Sequence, residues 1–194
     1  MDELLQKIQY HDDQQAFEQL YQLLFFKLYQ FAYAYVHSKE NAEEIVNDVF
    51  MGLWQKRNTL NTIANIHVYL YVAIKNTSLN YIRKNKLPPP LSLDDLEVRH
   101  LHFHADPENT FITREMQSRI ERAIELLPPR CKIIFKLIKE DGFSYKETAS
   151  ILDISVKTVD TQLYLALKKL NVTLLPVWEE YADIHKANLG DTEH

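Results

Sequence analysis

The segment Ser144–Leu170, SYKETASILDISVKTVDTQLYLALKKL, constrains this chain more than any other, because it reads as two helices joined by a three-residue turn. Ser144 is a good N-cap, and Glu147 three residues later completes a capping box. Ala149 is the small residue needed where two helices cross closely. Leu152 ends the first helix and Ile154 plugs the corner. Asp153 falls at the bend, where a left-handed backbone is expected and Asp tolerates it at modest cost. Ser155 caps the second helix, whose buried stripe is expected to be Val159, Leu163 and Leu167. The polar side chains that open this helix, Ser155, Lys157, Thr158 and Thr161, are not needed by a core. In a helix-turn-helix they occupy the positions that meet base edges in the major groove. An ordinary antiparallel helix pair with a solvated polar face fits the same pattern, since a fold does not set a function. The rest of the chain has to decide.

A chain of 194 residues allows one domain or two small ones, and its 46% hydrophobic content is enough for packed cores. The three glycines, Gly52, Gly142 and Gly190, are scattered. Glycine-rich phosphate loops and dinucleotide fingerprints need clustered glycines, so both are excluded. Cys131 is the single cysteine, which leaves no internal disulfide and fits a reducing cytoplasm. No signal peptide or spanning apolar run is read, and a cytoplasmic location is expected. The net charge of −5 argues against non-specific nucleic-acid binding by the chain alone. Its distribution is segregated. Lys75, Arg83, Lys84 and Lys86 form a short basic stretch. Asp94, Asp95, Glu97, Asp106, Glu108 and Glu115 follow, against Arg99 and Arg114.

Helical periodicity runs through Asp13–Val36, with Ala16, Phe17, Leu20, Leu23, Leu24, Leu28, Phe31, Ala32 and Tyr35 apolar. Its aromatics read as core, not as a cofactor box. Asn41–Lys56 is expected as a second helix capped at Asn41. Its apolar residues, Ile45, Val46, Val49, Phe50, Leu53 and Trp54, spread over about half the cylinder. Either this helix is sandwiched in the core, or part of the face, with Trp54 at its edge, is kept for a partner. Val68–Lys86 is the third helix. Tyr71, Lys75, Asn76, Asn80, Arg83 and Lys84 give it a polar, aromatic and basic surface, suited to stacking unpaired bases and meeting phosphates. A solvated basic helix end favoured by its own dipole is the alternative.

Pro88–Pro90 and the acidic residues after them read as a linker. His100, His102 and His104 alternate in an extended stretch that lacks the fixed geometry of a structural metal site, so no metal is expected. Thr110–Leu127 is a fourth helix. Pro128–Pro129 opens a fifth that stops at Glu140–Asp141–Gly142, with proline at its start and glycine past its end. Cys131 is expected to be packed. Val172–His194 reads as an acidic helical extension or frayed tail.

Two small helical domains, an acidic proline-broken linker and a helix-turn-helix in this order resemble the sigma-70 family of bacterial RNA polymerase specificity subunits. The closer resemblance is to the extracytoplasmic-function (group IV) type, which keeps only the sigma-2 and sigma-4 domains. It is carried by AEEIVNDVFMGLWQKR (Ala42–Arg57), YLYVAIKNTSLNYIRK (Tyr69–Lys84) and Leu127–Leu170. The resemblance implies an all-α fold with a sigma-2-like bundle (1–86), a linker (87–111), a sigma-4-like helix-turn-helix domain (112–172) and an acidic tail (173–194). It implies that Asp48, Val49, Phe50, Leu53 and Trp54 dock on the clamp helices of the polymerase beta-prime subunit. Tyr69, Lys75, Asn76, Asn80, Arg83 and Lys84 would melt and read the −10 element of promoter DNA. Ser155, Lys157, Thr158, Thr161 and Gln162 would read the −35 element as duplex. The implied partners are core RNA polymerase (clamp helices and beta flap), promoter DNA and a membrane-anchored anti-sigma factor. The SVKTVDTQ…ALKKL wording looks most like the subgroup whose anti-sigma proteins regulate outer-membrane nutrient uptake. Val72, Asp153 and Thr148 depart from the residues common among such relatives. No hydrolytic triad or carboxylate dyad is read, so a non-enzymatic protein without a cofactor is expected. A free-standing helix-turn-helix regulator is the alternative reading.

Overall fold

The structure, a computed structural model, describes the backbone of residues 1–90, 92–96, 98 and 114–190, and side chains for all of these except 114 and 177–190. The histidine run 100–104, residues 110–113 of the expected fourth helix and the last four residues of the tail lie outside the described residues. The described residues form no strand.

The first bundle holds α1 (Asp2–His11), α2 (Gln14–Val36), α3 (Lys39–Gln55) and α4 (Ile66–Lys84). α2 starts where Asp13 accepts from the Ala16 amide. α3 starts three residues earlier than expected, because Ser38, not Asn41, is its cap. Asn65 opens α4 by accepting from the amides of His67 and Val68. α3 packs against both α2 and α4. Its wide apolar face is therefore consumed within the bundle: Val49, Phe50 and Leu53 are buried. The ring of Phe50 meets Phe17 at 5.9 Å and Tyr21 at 4.9 Å. Of the two alternatives for α3, the sandwiched one holds for Val49, Phe50 and Leu53, while Trp54 at the edge stays half-buried.

The second bundle holds α5 (Arg114–Glu125), α6 (Pro129–Phe135), α7 (Tyr145–Leu152) and α8 (Val156–Gly190). α6 runs on into a single π turn, Lys136–Glu140, which ends at Gly142 with φ 77°. α7 and α8 form the helix-turn-helix. The Ser144–Glu147 capping box is complete in both directions, and Asp153 adopts the left-handed conformation at φ 59°. The stripe of α8 departs from the expected one. Val159, Leu163, Ala166 and Leu170 are buried, whereas Leu167 is 42% exposed. A strict four-residue spacing runs ahead of 3.6 residues per turn, so by the third repeat Ala166 has taken the inward place. α8 continues unbroken to Gly190, so the described part of the tail is helical.

The connector is not wholly detached. Ser92 caps the short turn Leu93–Asp95, which packs on α6, and Leu96 and Val98 are buried. Ser92 and Asp95 satisfy each other's amides as a capping box does.

Candidate nucleic-acid and polymerase surfaces

Asn76, Asn80, Arg83 and Lys84 are exposed and recur at three- and four-residue intervals, which lines them up along one face of α4. Tyr69, one heptad before Asn76, extends that row as a half-buried ring. Lys75 does not belong to it. It sits one position round the helix and is 8% exposed, where α4 meets the second bundle. Burial pushes the Lys75 ammonium below the ordinary lysine range, and the Asp153 carboxylate partly restores it. Tyr71, expected on the same surface, is 3% exposed and equally covered.

The recognition end of α8 is pinned by Ser155, whose Oγ accepts from the Thr158 amide at 3.0 Å and bonds the Thr158 hydroxyl at 2.8 Å. Lys157 and Thr161 are exposed beside it, the Thr161 hydroxyl donating to the Lys157 carbonyl at 2.9 Å. Gln162 is less available than the sequence suggests. It is half-buried, and its Oε1 accepts from the Cys131 thiol at 3.3 Å. Burial raises the Cys131 pKa, which suits a packed neutral thiol. Sequence reasoning passed over Val156 and Asp160, both exposed on the opening turns of α8. Their exposure follows from the same periodicity that buries Val159.

The expected polymerase-docking residues divide in two. Val49, Phe50 and Leu53 are buried in the first bundle and present no surface, so at these three positions the apolar face of α3 is packed and not kept for a partner. Trp54 is half-buried, 4.9 Å from the Phe17 ring, with the Arg57 guanidinium 4.6 Å over its face. Asp48 is exposed. So are its neighbour Asn47 and, one turn to either side, Glu44 and Met51. Asn47 is fixed by the Tyr21 hydroxyl, which donates to its Oδ1 at 2.8 Å. The sequence signal for this face was the gap between apolar positions, not the apolar positions themselves.

Where the bundles meet, the Tyr71 hydroxyl donates to Asp141 Oδ2 at 2.9 Å and Lys27 pairs with Asp141 Oδ1 at 2.8 Å. Asn65 Nδ2 donates to Glu147 Oε1 at 2.7 Å. His67 lies among these charges. Burial lowers its pKa first and Lys27 second, while Asp141 and Glu147 oppose them. A histidine depressed in the folded state lets the unfolded chain take up its proton first. Stability should therefore fall as pH drops below about 6.5. Denaturant midpoints at two pH values on either side of this, for the wild type and His67→Gln, check it. The variant should lose less stability on acidification.

Among the described residues no His, Cys, Asp and Glu group could hold a metal ion, and no helix is long and apolar enough to cross a membrane.

The fold and these surfaces define a two-domain all-helical protein with a basic polar face on the first domain and a helix-turn-helix in the second. The family profile described as Sigma-70 region 2 matches residues 16–87, and that described as Sigma-70, region 4 matches residues 117–170. The chain belongs to the sigma-70 family of transcription initiation factors, within its extracytoplasmic-function type. It is 26% identical over 181 residues to the ECF RNA polymerase sigma-E factor of Escherichia coli K12, covering 90% of this chain and 94% of that one. Against the RNA polymerase sigma-H factor of Pseudomonas aeruginosa the identity is 22% over 187 residues, covering 92% and 95%. Two solved structures share the fold. The sigma factor RpoE from Bartonella quintana, in complex with the anti-sigma factor NepR, aligns with a TM-score of 0.52 at 20% identity, covering 81% of this chain and 96% of that one. CnrH in complex with the cytosolic domain of CnrY aligns at 0.50 with 20% identity, covering 88% and 94%.

Proposed function

We propose that this sigma factor directs core RNA polymerase to promoters through two reading faces, one on each domain, and assists strand opening at the first. The observation that carries this reading is the exposed row Asn76, Asn80, Arg83 and Lys84 on α4, in the same chain as the Ser155-capped recognition helix. The first face offers amides and cations to unpaired bases and their phosphates. The second offers a helix N-terminus to a backbone phosphate and Lys157, Thr158 and Thr161 to base edges. Docking on the polymerase clamp is assigned to Asp48 with Glu44, Asn47 and Met51, and to Trp54 at the edge. Lys75 and Gln162 are placed behind these surfaces. The domain limits are 1–86 and 112–172, with the acidic segment 87–111 threading the polymerase and 173–194 as the tail. The chain acts in the cytoplasm, without a reaction of its own, under a membrane-anchored anti-sigma factor. The complex of RpoE with the anti-sigma factor NepR supports control by an anti-sigma factor, and the complex of CnrH with the cytosolic domain of CnrY fits a bound partner of the same kind.

Co-purification with core polymerase, followed by transcription from a randomised promoter library, tests the whole reading. A chain that binds promoter DNA without polymerase would instead be a free-standing regulator. Lys157 can donate to guanine O6 and N7. Lys157→Ala should flatten the preference at one −35 base pair, a loss of about 1–3 kcal/mol, while Lys168→Ala leaves the preferred sequence unchanged. An unchanged logo for Lys157→Ala would reduce that side chain to a phosphate contact.

A further inference from the structure

We propose that the recognition helix α8 reads thymine 5-methyl groups in the −35 element through an apolar strip made of Thr158, Thr161 and Leu165. The inference rests on the two-face reading above and names what the second face selects.

Helical spacing delivers the strip. Thr158, Thr161 and Leu165 follow one another at intervals of three and four residues, so they share a face. The buried row Val159, Leu163, Ala166 and Leu170 holds the other side of α8 against its own domain. Leu165 is 43% exposed. Thr161 is exposed one turn before it, and Thr158 is half-buried one turn earlier again. A single exposed leucine is ordinary on a protein surface. This one has apolar company, because both threonines have turned their polar ends away.

The Thr161 hydroxyl gives its proton to the Lys157 carbonyl at 2.9 Å. The Thr158 hydroxyl is bound to Ser155 Oγ at 2.8 Å, the same oxygen that accepts from the Thr158 amide to cap the helix. A β-branched side chain has few rotamers in a helix, so fixing the hydroxyl fixes the methyl with it. What the two threonines then offer a partner is their γ-methyls, followed by the Leu165 side chain. The purine edges in the major groove, guanine N7 and O6 and adenine N7, are acceptors, and Thr161 has no proton left for them. Thymine presents a C5-methyl there. Taking that methyl out of water against threonine and leucine carbons is favourable and needs no polar partner.

The charges frame the strip. Lys157 precedes Thr161 by four residues and Lys168 follows Leu165 by three, and both are exposed. Cations at the two ends can meet the phosphates that line a groove while the residues between them face bases. From Thr158 to Leu165 the helix rises about 10 Å, roughly the length of three base pairs. Neighbouring thymines, on either strand, are therefore what the strip can cover.

Synthetic promoters carrying altered bases test this with the full chain and core polymerase. In the −35 element selected by the wild type, each thymine in turn is replaced by deoxyuridine, which removes the methyl and keeps every hydrogen-bonding group. Holoenzyme occupancy should fall about fourfold at one or more of these positions, the worth of one buried carbon. Leu165→Ala should lose this thymine-over-uracil ratio at one position and keep it at its neighbour. Thr161→Val keeps the methyl without the hydroxyl and should retain the ratio, whereas Thr161→Ser keeps the hydroxyl without the methyl and should lose it. Cytosine placed at a sensitive position should gain about fourfold on 5-methylation, since that methyl stands at the same ring carbon. Each ratio is taken within one variant, so a change in its stability cancels. Equal occupancy with thymine and deoxyuridine at every position, an unchanged set of ratios in Leu165→Ala, or a ratio kept by Thr161→Ser and lost by Thr161→Val would each overturn the strip, with the two-face reading left standing. A wild type that selects no −35 sequence with core polymerase would strike that reading, and the strip with it.

Discussion

Phe50→Ala should destabilise the chain by about 3–5 kcal/mol, and Asp48→Lys should leave it folded while weakening its binding to core polymerase. The two residues are neighbours on α3, and only their direction differs. Phe50 is 2% exposed, with its ring edge-on to Phe17 and Tyr21. Removing it empties a site between two helices whose own aromatics cannot follow inward, so the cost combines lost transfer energy and an unfilled cavity. Asp48 is exposed, and its carboxylate makes no contact among the described residues that the fold depends on. Its reversal changes only what a partner meets. Chemical denaturation separates these outcomes from a polymerase pull-down. A stable Phe50→Ala that merely lost polymerase binding would mean that the apolar face of α3 is open after all. An Asp48→Lys that bound polymerase normally would move the docking surface elsewhere.

The parts of the structure set by neighbours in sequence were legible before any fold was known. The Ser144–Glu147 box, the left-handed Asp153, the Ser155 cap and the proline-to-glycine span of the fifth helix all depend on residues within one turn of each other. Errors arose where two local solutions compete. Ser38 and Asn41 can both cap, and the chain uses the earlier one because its side chain then reaches the Asn41 amide. Leu167 is the larger hydrophobe, but Ala166 holds the inward register. The least legible features depend on what lies opposite. A half-cylinder of apolar residues on α3 reads the same whether a second helix or a polymerase covers it, and here α2 and α4 both do. Tyr71 and Lys75 carry the same surface pattern as Asn76 and Asn80. Only the second domain, brought in through Asp141, Phe143 and Glu147, separates the covered pair from the exposed one.

Asn76→Ala and Asn80→Ala should cut transcription from a duplex promoter and recover much of it on a template with a pre-melted bubble. Both side chains are exposed one turn apart on α4, with Arg83 and Lys84 further along the same face. An amide donates and accepts at once, so it can meet the base-pairing edge of an unpaired base. That edge is hidden until the strands part. A contact made only with the open form lowers the free energy of opening, and losing it raises that step by about 1–3 kcal/mol, roughly five- to 150-fold in rate or occupancy. Arg83 and Lys84, proposed to meet phosphates that duplex and open DNA both offer, should on replacement by alanine weaken binding to both templates alike, with a steeper response to salt in the wild type than in the variant. Permanganate reactivity of unpaired thymines reports opening directly. It should fall for Asn76→Ala on duplex DNA while polymerase occupancy of the closed promoter is kept. Equal losses on duplex and bubble templates would make Asn76 and Asn80 plain binding residues and shift strand opening to another part of the polymerase assembly.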